Sequence, residues 1–356
     1  MIPPLAPLLA RLLALVVAGV GGAGLSACSG PGPGAASASE VLPGRASVEI
    51  IGDYGFVLIP TGRLDLTLGA PTDDAVSADH VDDDEDHAPP EGGSWVPVHV
   101  EHDPFGEGGV PVGLIGGAPD PAGLALVIDG TTVDLGAPYR VVGEKGTADS
   151  GLGTVWVAVD EPPDEIESVE LAVTYDGLTQ TLDPVTGERQ AGAAAALYDE
   201  PPVAAEATCA SDGFDQDGVR LDLACQVGLP QRTPYLPGPG WADEGRSWLV
   251  VGSVISVDRV DVDGTSYTVE TIEPSVTLNG SEPLPPDGRF GRVDHDPSRV
   301  SGTWAFDASA QGPDEMGIAL DLVLEKGDVG DPGPGVREVS VKQTVELPGT
   351  QLAAGG

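Results

Sequence analysis

Residues Gly153–Gly177 read GTVWVAVDEPPDEIESVELAVTYDG. Two runs rich in Val, Leu and Thr alternate apolar with polar side chains, and Pro with acidic residues separates them. That pattern describes two strands with a turn between them. Much of it returns at Gly302–Asp328, GTWAFDASAQGPDEMGIALDLVLEKGD. An ordered pair of such stretches predicts a repeated β unit rather than a single fold.

Working outward, three more pairs keep the same order. GRLDLTLG (Gly62–Gly69) matches GVRLDLACQVG (Gly218–Gly228), and the segment around Trp95 matches that around Trp248. VIDGTTVDL around Asp129-Gly130 matches DVDGTSYTV around Asp263-Gly264. Both Asp-Gly pairs sit between β-rich runs, where a tight hairpin needs positive φ. The expectation is an all-β chain of two repeated immunoglobulin-like β-sandwich domains, residues 46–190 and 207–349, joined by a linker at 191–206 and ending in a disordered tail at 350–356. Trp95, Trp156, Trp248 and Trp304 are expected to face the inter-sheet cores.

The 356 residues carry 16 Lys plus Arg against 57 Asp plus Glu, a net charge of −41. Such a surface repels phosphate backbones, which excludes nucleic acid as a partner. Docking on anionic lipid through basic patches is excluded on the same ground. Cations and cationic partners are attracted, and solubility in salty surroundings is favoured.

The N-terminal stretch has one early cation, Arg11, then the apolar run LLALVVAGVGGAG and small residues. This has the form of a signal-peptide apolar region, too short for a membrane span. The G-x-G-x-x-G match at Gly19–Gly24 has no strand before it, so a dinucleotide-binding reading fails. Leu25-Ser26-Ala27-Cys28 resembles the lipobox of bacterial lipoproteins. That resemblance implies a signal peptide at 1–27, diacylglyceryl attachment to Cys28, and the membrane as partner on the outer side. Residues 28–45, rich in Gly, Ser, Ala and Pro, are expected to form a flexible tether. The paired β units resemble the tandem immunoglobulin-like domains of secreted actinobacterial lipoproteins, although the Cys…Trp…Cys signature of antibody domains is absent.

With Cys28 assigned to lipid, Cys209 and Cys225 remain, and an exported setting permits a disulfide between them. Asp212, Asp215 and Asp217 depart from the calcium-loop spacing. Four of the five histidines fall close together. His80 and His87 bracket VDDDED, and His99 and His102 sit in VHVEHD. His99 and Glu101 share one strand face, while Val98, Val100 and His102 share the other. These four histidines are the candidate ligands for Zn²⁺ or Cu²⁺. A solvated acidic loop is the competing reading of the same run.

No cofactor is assigned. There is no G-x-S-x-G nucleophile elbow, and His295 in VDHDPSR reads as a lone loop histidine, so no catalytic residues are assigned. The expected role is a non-enzymatic binding or adaptor module for an envelope or secreted protein, or for an envelope polymer. Two alternatives stand beside it: a metal- or cation-binding envelope protein using residues 75–102, and an enzyme or enzyme accessory acting on extracellular polymer.

Overall fold

The computed structural model describes residues 36–104, 120–141, 151–199, 207–209, 211–216, 218–285, 293–309, 313–326 and 335–347. Cys28, the signal peptide and the tail lie outside them. The first half contains β1 (Val41–Gly44), β2 (Gly52–Ile59), β3 (Gly62–Gly69), β4 (Ser94–Asp103), β5 (Gly123–Ile128), β6 (Thr131–Gly136), β7 (Leu152–Val159), β8 (Val169–Tyr175), β9 (Leu178–Leu182) and β10 (Arg189–Gln190). These make two antiparallel five-stranded sheets, ordered β1-β7-β4-β3-β2 and β10-β9-β8-β5-β6. Alternation drives the packing. Val96, Val98 and Val100 of β4 point inward with Leu64 and Leu66 of β3, against Leu124, Leu126, Leu171 and Val173 of the other sheet. Each fully buried aliphatic side chain contributes roughly 1.5–3 kcal/mol.

The second half contains β11 (Ala207–Thr208), β12 (Val219–Val227), β13 (Gln231–Thr233), β14 (Tyr235–Leu236), β15 (Gly240–Trp241), β16 (Arg246–Val262), β17 (Thr265–Leu278), β18 (Val293–Asp296), β19 (Arg299–Ser309), β20 (Asp314–Lys326) and β21 (Val336–Leu347). β14 and β15 pair only with each other; the rest form one antiparallel sheet that folds over itself, with the long strand β16 as its spine. β16 pairs β19 through Arg246–Ser256, β12 through Ser253–Val262, and β17 through Val260–Val262. Leu249, Val251, Ile255, Trp304 and Phe306 from the first layer share a core with Val276, Ile318, Leu320 and Val341 from the second. The protein is all-β and sandwich-like in both halves.

The Asp-Gly hairpins form as expected. Asp129 and Gly130 have φ of 46° and 81°, and Asp263 and Gly264 have 51° and 81°, the doubly positive pair of a tight two-residue turn. Cys209 and Cys225 are joined as a disulfide with Cα atoms 5.3 Å apart. They continue the register in which Thr208 lies opposite Gln226. Closing such a loop stabilises by roughly 3 kcal/mol, chiefly by restricting the unfolded chain.

Two expected boundaries shift. Strand β1 lies inside the stretch read as tether, and Ala36 N already donates to Ala88 O at 3.0 Å. The stretch read as linker begins inside the fold, because Gly192–Leu197 forms a 3₁₀ turn that buries Ala194 and Leu197. Small apolar residues without strand periodicity had concealed both segments.

The next residue, Tyr198, helps to close the edge of β2. Its hydroxyl accepts from Leu58 N at 2.8 Å, and Gln180 Nε2 donates to Leu58 O at 2.7 Å. Arg189 donates to Phe56 O through Nε at 3.1 Å and Nη2 at 2.7 Å. Gln180 of β9, Arg189 of β10 and Tyr198 after the 3₁₀ turn thus take the hydrogen bonds that a further strand would make.

The halves touch through aromatic residues. Trp241 Nε1 donates to Tyr175 O at 3.0 Å, and the Tyr235 ring lies edge-on to Tyr175 at 5.5 Å and to Trp241 at 5.2 Å. Tyr235, Leu236, Val250 and Ala305 belong to the same buried cluster as the first half's core.

Candidate functional site

The outer face of the first sheet is divided in two. One half is roofed by the β3–β4 connection, residues 70–93, and by the segment around β1. Val76 and Val81 of the roof pack on Leu42, Trp95, Trp156 and Ala158 of the strands below, as a separate buried cluster. The roof is tied down at several points. Thr72 and Trp95 exchange backbone bonds of 2.9 and 2.8 Å, as do Val76 and His87 at 2.9 Å each. Arg45 pairs with Asp84 and donates from Nε to Val81 O at 2.8 Å.

The second half repeats this device. Its β12–β16 connection also folds back over the strand that follows, with Thr233 of β13 opposite Trp248. Trp95 Nε1 donates to His87 O at 3.2 Å, and Trp248 Nε1 donates to Gly240 O at 2.9 Å. In each case the acceptor lies eight residues upstream of the tryptophan. The register agrees as well. His99 lies opposite Thr154 and Val100 opposite Gly153, just as Gly252 lies opposite Thr303 and Ser253 opposite Gly302.

Several expected equivalences do not survive. Aligned on Gly-Thr, Trp156 corresponds to Ala305, so Trp156 faces the roof while Trp304 faces the inter-sheet core. One inserted residue reverses the face, because side chains alternate with period two. Trp95 also lies outside the inter-sheet core, under the roof, whereas Trp248 is half-buried against the cluster that the two halves share. The RLDL match is out of register, since Asp65 lies opposite Glu101 but Asp222 opposite Arg259. The Asp-Gly hairpins change partners too: β5, the first strand of its hairpin, pairs β8, whereas β17, the second strand, pairs β20.

The other half of the first sheet's outer face is the more open one among the described residues: Tyr54 and Glu101 are exposed there, and Asp65, Thr67 and His99 are half-buried. Tyr54, Thr67, His99 and Thr154 form one row across β2, β3, β4 and β7, and Phe56, Asp65, Glu101 and Leu152 form the next. Tyr54 is 53% exposed, yet its hydroxyl donates to Asp65 and accepts from Arg63. Burial, then the Asp65 carboxylate, pushes the Tyr54 hydroxyl pKa up, which keeps it a donor. Arg63 Nε holds Asp65 Oδ1 at 2.9 Å, and its guanidinium lies 4.2 Å from the Phe56 ring centre. His99 Nδ1 lies 2.8 Å from Thr154 Oγ1. Glu101 is exposed, acts electrostatically on His99, and forms no ion pair with Arg or Lys among the described residues.

The four candidate histidines are not brought together. His80 stacks beside Trp156 in the roof, with ring centres 6.1 Å apart, and His87 Nε2 pairs with Asp83 Oδ2 at 2.9 Å. His99 lies on the open outer face. His102 is 3% exposed on the inner face, beside Tyr139, with Nε2 3.2 Å from Thr61 O. Strand alternation alone sends His99 and His102 to opposite sides of the sheet. Among the described residues no group of three or more His, Cys, Asp or Glu is placed to hold one metal ion. The expected Zn²⁺ or Cu²⁺ centre is therefore not formed by His80, His87, His99 and His102. His295 is in β18, not in a loop.

Burial lowers the pKa of both His102 and His99, with Glu101 opposing the shift at His99. A histidine that resists protonation when folded protects stability above its unfolded pKa, about 6.5, and that contribution is lost as pH falls. The urea midpoint should therefore decrease between pH 7 and pH 5, before carboxylates dominate. His102→Gln should flatten this dependence, and an unchanged slope would contradict the assignment.

Tyr54, Arg63 and Asp65 were missed by sequence reasoning. Their signal was the polar phase of GDYGFVLI and GRLDLTLG, which becomes a site only once the register is known. No protein-family model matches the chain, and no curated protein matches it in sequence. No helix among the described residues is long and apolar enough to cross a membrane.

Proposed function

We propose that this protein is a non-enzymatic binding module, anchored through lipid on Cys28 at the outer side of the cell membrane. The observation that carries the binding role is the open half of the first sheet's outer face. There an exposed tyrosine is held in place by its hydroxyl among charged and hydroxyl-bearing side chains. Fixing such a group before a ligand arrives reduces the ordering cost of binding. An adaptor for an envelope or secreted component fits two docked sandwiches, though architecture alone does not set function.

The anchoring reading rests on the resemblance of LSAC to a lipobox and on the composition before it. Cys28 and Ala36, the first described residue, are eight positions apart, so at about 3.3–3.6 Å per residue Ala36 lies within about 29 Å of the anchor. The full chain should incorporate labelled palmitate and fractionate with membranes. Cys28→Ala should lose both, and Cys209→Ala should keep both. Label retained in Cys28→Ala would overturn the anchor.

A further inference from the structure

The open half-face has a chemistry more specific than generic stickiness. A protein–protein interface needs an apolar centre, with polar groups at its rim. Here the order is reversed: Arg63, Asp65, Thr67, His99 and Glu101 fill the two middle strands, with Tyr54 and the Arg63-covered Phe56 on one flank and Leu152 on the other. Acceptors, donors and a ring that can serve as either stand on neighbouring strands about 4.8 Å apart. That spacing is close to the length of one hexose in an extended glycan. The C–H face of a sugar packs on an aromatic ring, and planar carboxylate and guanidinium groups bond its hydroxyls.

Charge narrows the choice. At −41 the chain repels uronic, phosphorylated and other anionic polymers. Glu101 is exposed on the same face and forms no ion pair with Arg or Lys among the described residues, whereas Asp65 is paired with Arg63. An ammonium group placed there meets the Glu101 carboxylate, while Tyr54, two strands away across β3, offers its ring to another sugar of the same extended chain.

We propose that this half-face binds an extended polysaccharide carrying free amino groups, with Tyr54 as the stacking platform and Glu101 as the ammonium acceptor. The inference rests on the reading of the chain as a binding module and names the ligand class of that site.

The test is calorimetric titration of the full chain, in detergent, with a glucosamine oligomer bearing free amines. Its N-acetylated counterpart and a lysine oligomer are the comparison probes, all at about 0.15 M salt, where the screening length is about 8 Å. The glucosamine oligomer should bind at least about tenfold more tightly than either comparison probe. Tyr54→Ala and Glu101→Gln should each weaken it by about tenfold or more, while Asp73→Asn, an exposed carboxylate on the roof, should not change it. Tyr54→Phe, which keeps the ring, should retain more binding than Tyr54→Ala. Equal binding of the lysine oligomer, or equal loss in Asp73→Asn, would mean plain polyelectrolyte attraction and would overturn the proposal. Equal binding of the acetylated oligomer, or no binding of either sugar, would overturn it too. If sugar binding fails while palmitate labelling still depends on Cys28, the ligand assignment falls and the anchored reading stands.

Discussion

Arg232→Ala is expected to lower stability by roughly 3–5 kcal/mol, read as a fall in the urea midpoint of the second half. Arg232 and Asp314 form an ion pair whose side chains are 8% and 5% exposed. Around it Arg232 Nη1 donates to Ser247 Oγ at 3.1 Å and to Ser309 O, while Asn279 Nδ2 donates to Asp314 Oδ1 at 2.8 Å. Removing the guanidinium leaves a buried carboxylate without its counter-charge, and that penalty exceeds the lost attraction. Arg246→Ala breaks a pair in which both side chains are about half exposed, and it should cost under about 1 kcal/mol. The double substitution Arg232→Met with Asp314→Leu should recover part of the loss. If Arg232→Ala costs no more than Arg246→Ala, the pair is not a closed buried unit.

The second large effect is expected at Trp95. Its side chain is completely buried, and replacing it with alanine should cost roughly 3–5 kcal/mol through lost contacts and a cavity. Because Trp95 lies under the roof, the damage should be local. Limited proteolysis should cut between residues 70 and 93 in Trp95→Ala but not in the wild type. A stability loss of that size with an uncut roof would place the tryptophan's role elsewhere. Trp248 is only half-buried, so Trp248→Ala should cost less.

Trp95 also shows what the sequence makes legible. The strands, the Asp-Gly turns and the pairing of Cys209 with Cys225 follow from local chemistry: β-branched alternation, the need for positive φ, and redox setting. The face of Trp95 was legible too. Residues four apart on a strand share a face, so Trp95 had to lie with the outward His99. The general tendency of large aromatics to sit in the core hid that simple count. A sheet with a roof buries tryptophan on its outer side equally well. The mismatch between Trp156 and Trp304 arose from one extra residue after Gly-Thr, which only pairing partners reveal.

The candidate site is harder to read because it is assembled from three strands. Tyr54, Asp65 and Glu101 become neighbours through two registers, and nothing local to any one strand announces the others. The histidine cluster shows the opposite error. Closeness in sequence suggested one centre, but a strand side and a folded-back connection separate its members.

The false strand that closes the edge of β2 has a consequence for crowding. Under the proposed anchoring, copies tethered to a common surface would meet at an effective concentration far above that of the same chains in solution. Exposed sheet edges are then the main route to edge-to-edge assembly and amyloid-like stacking. Along Phe56–Leu58 an incoming chain finds Arg189, Tyr198 and Gln180 already seated on the main-chain groups it would need. Lateral packing can therefore become dense without this edge templating an aggregate.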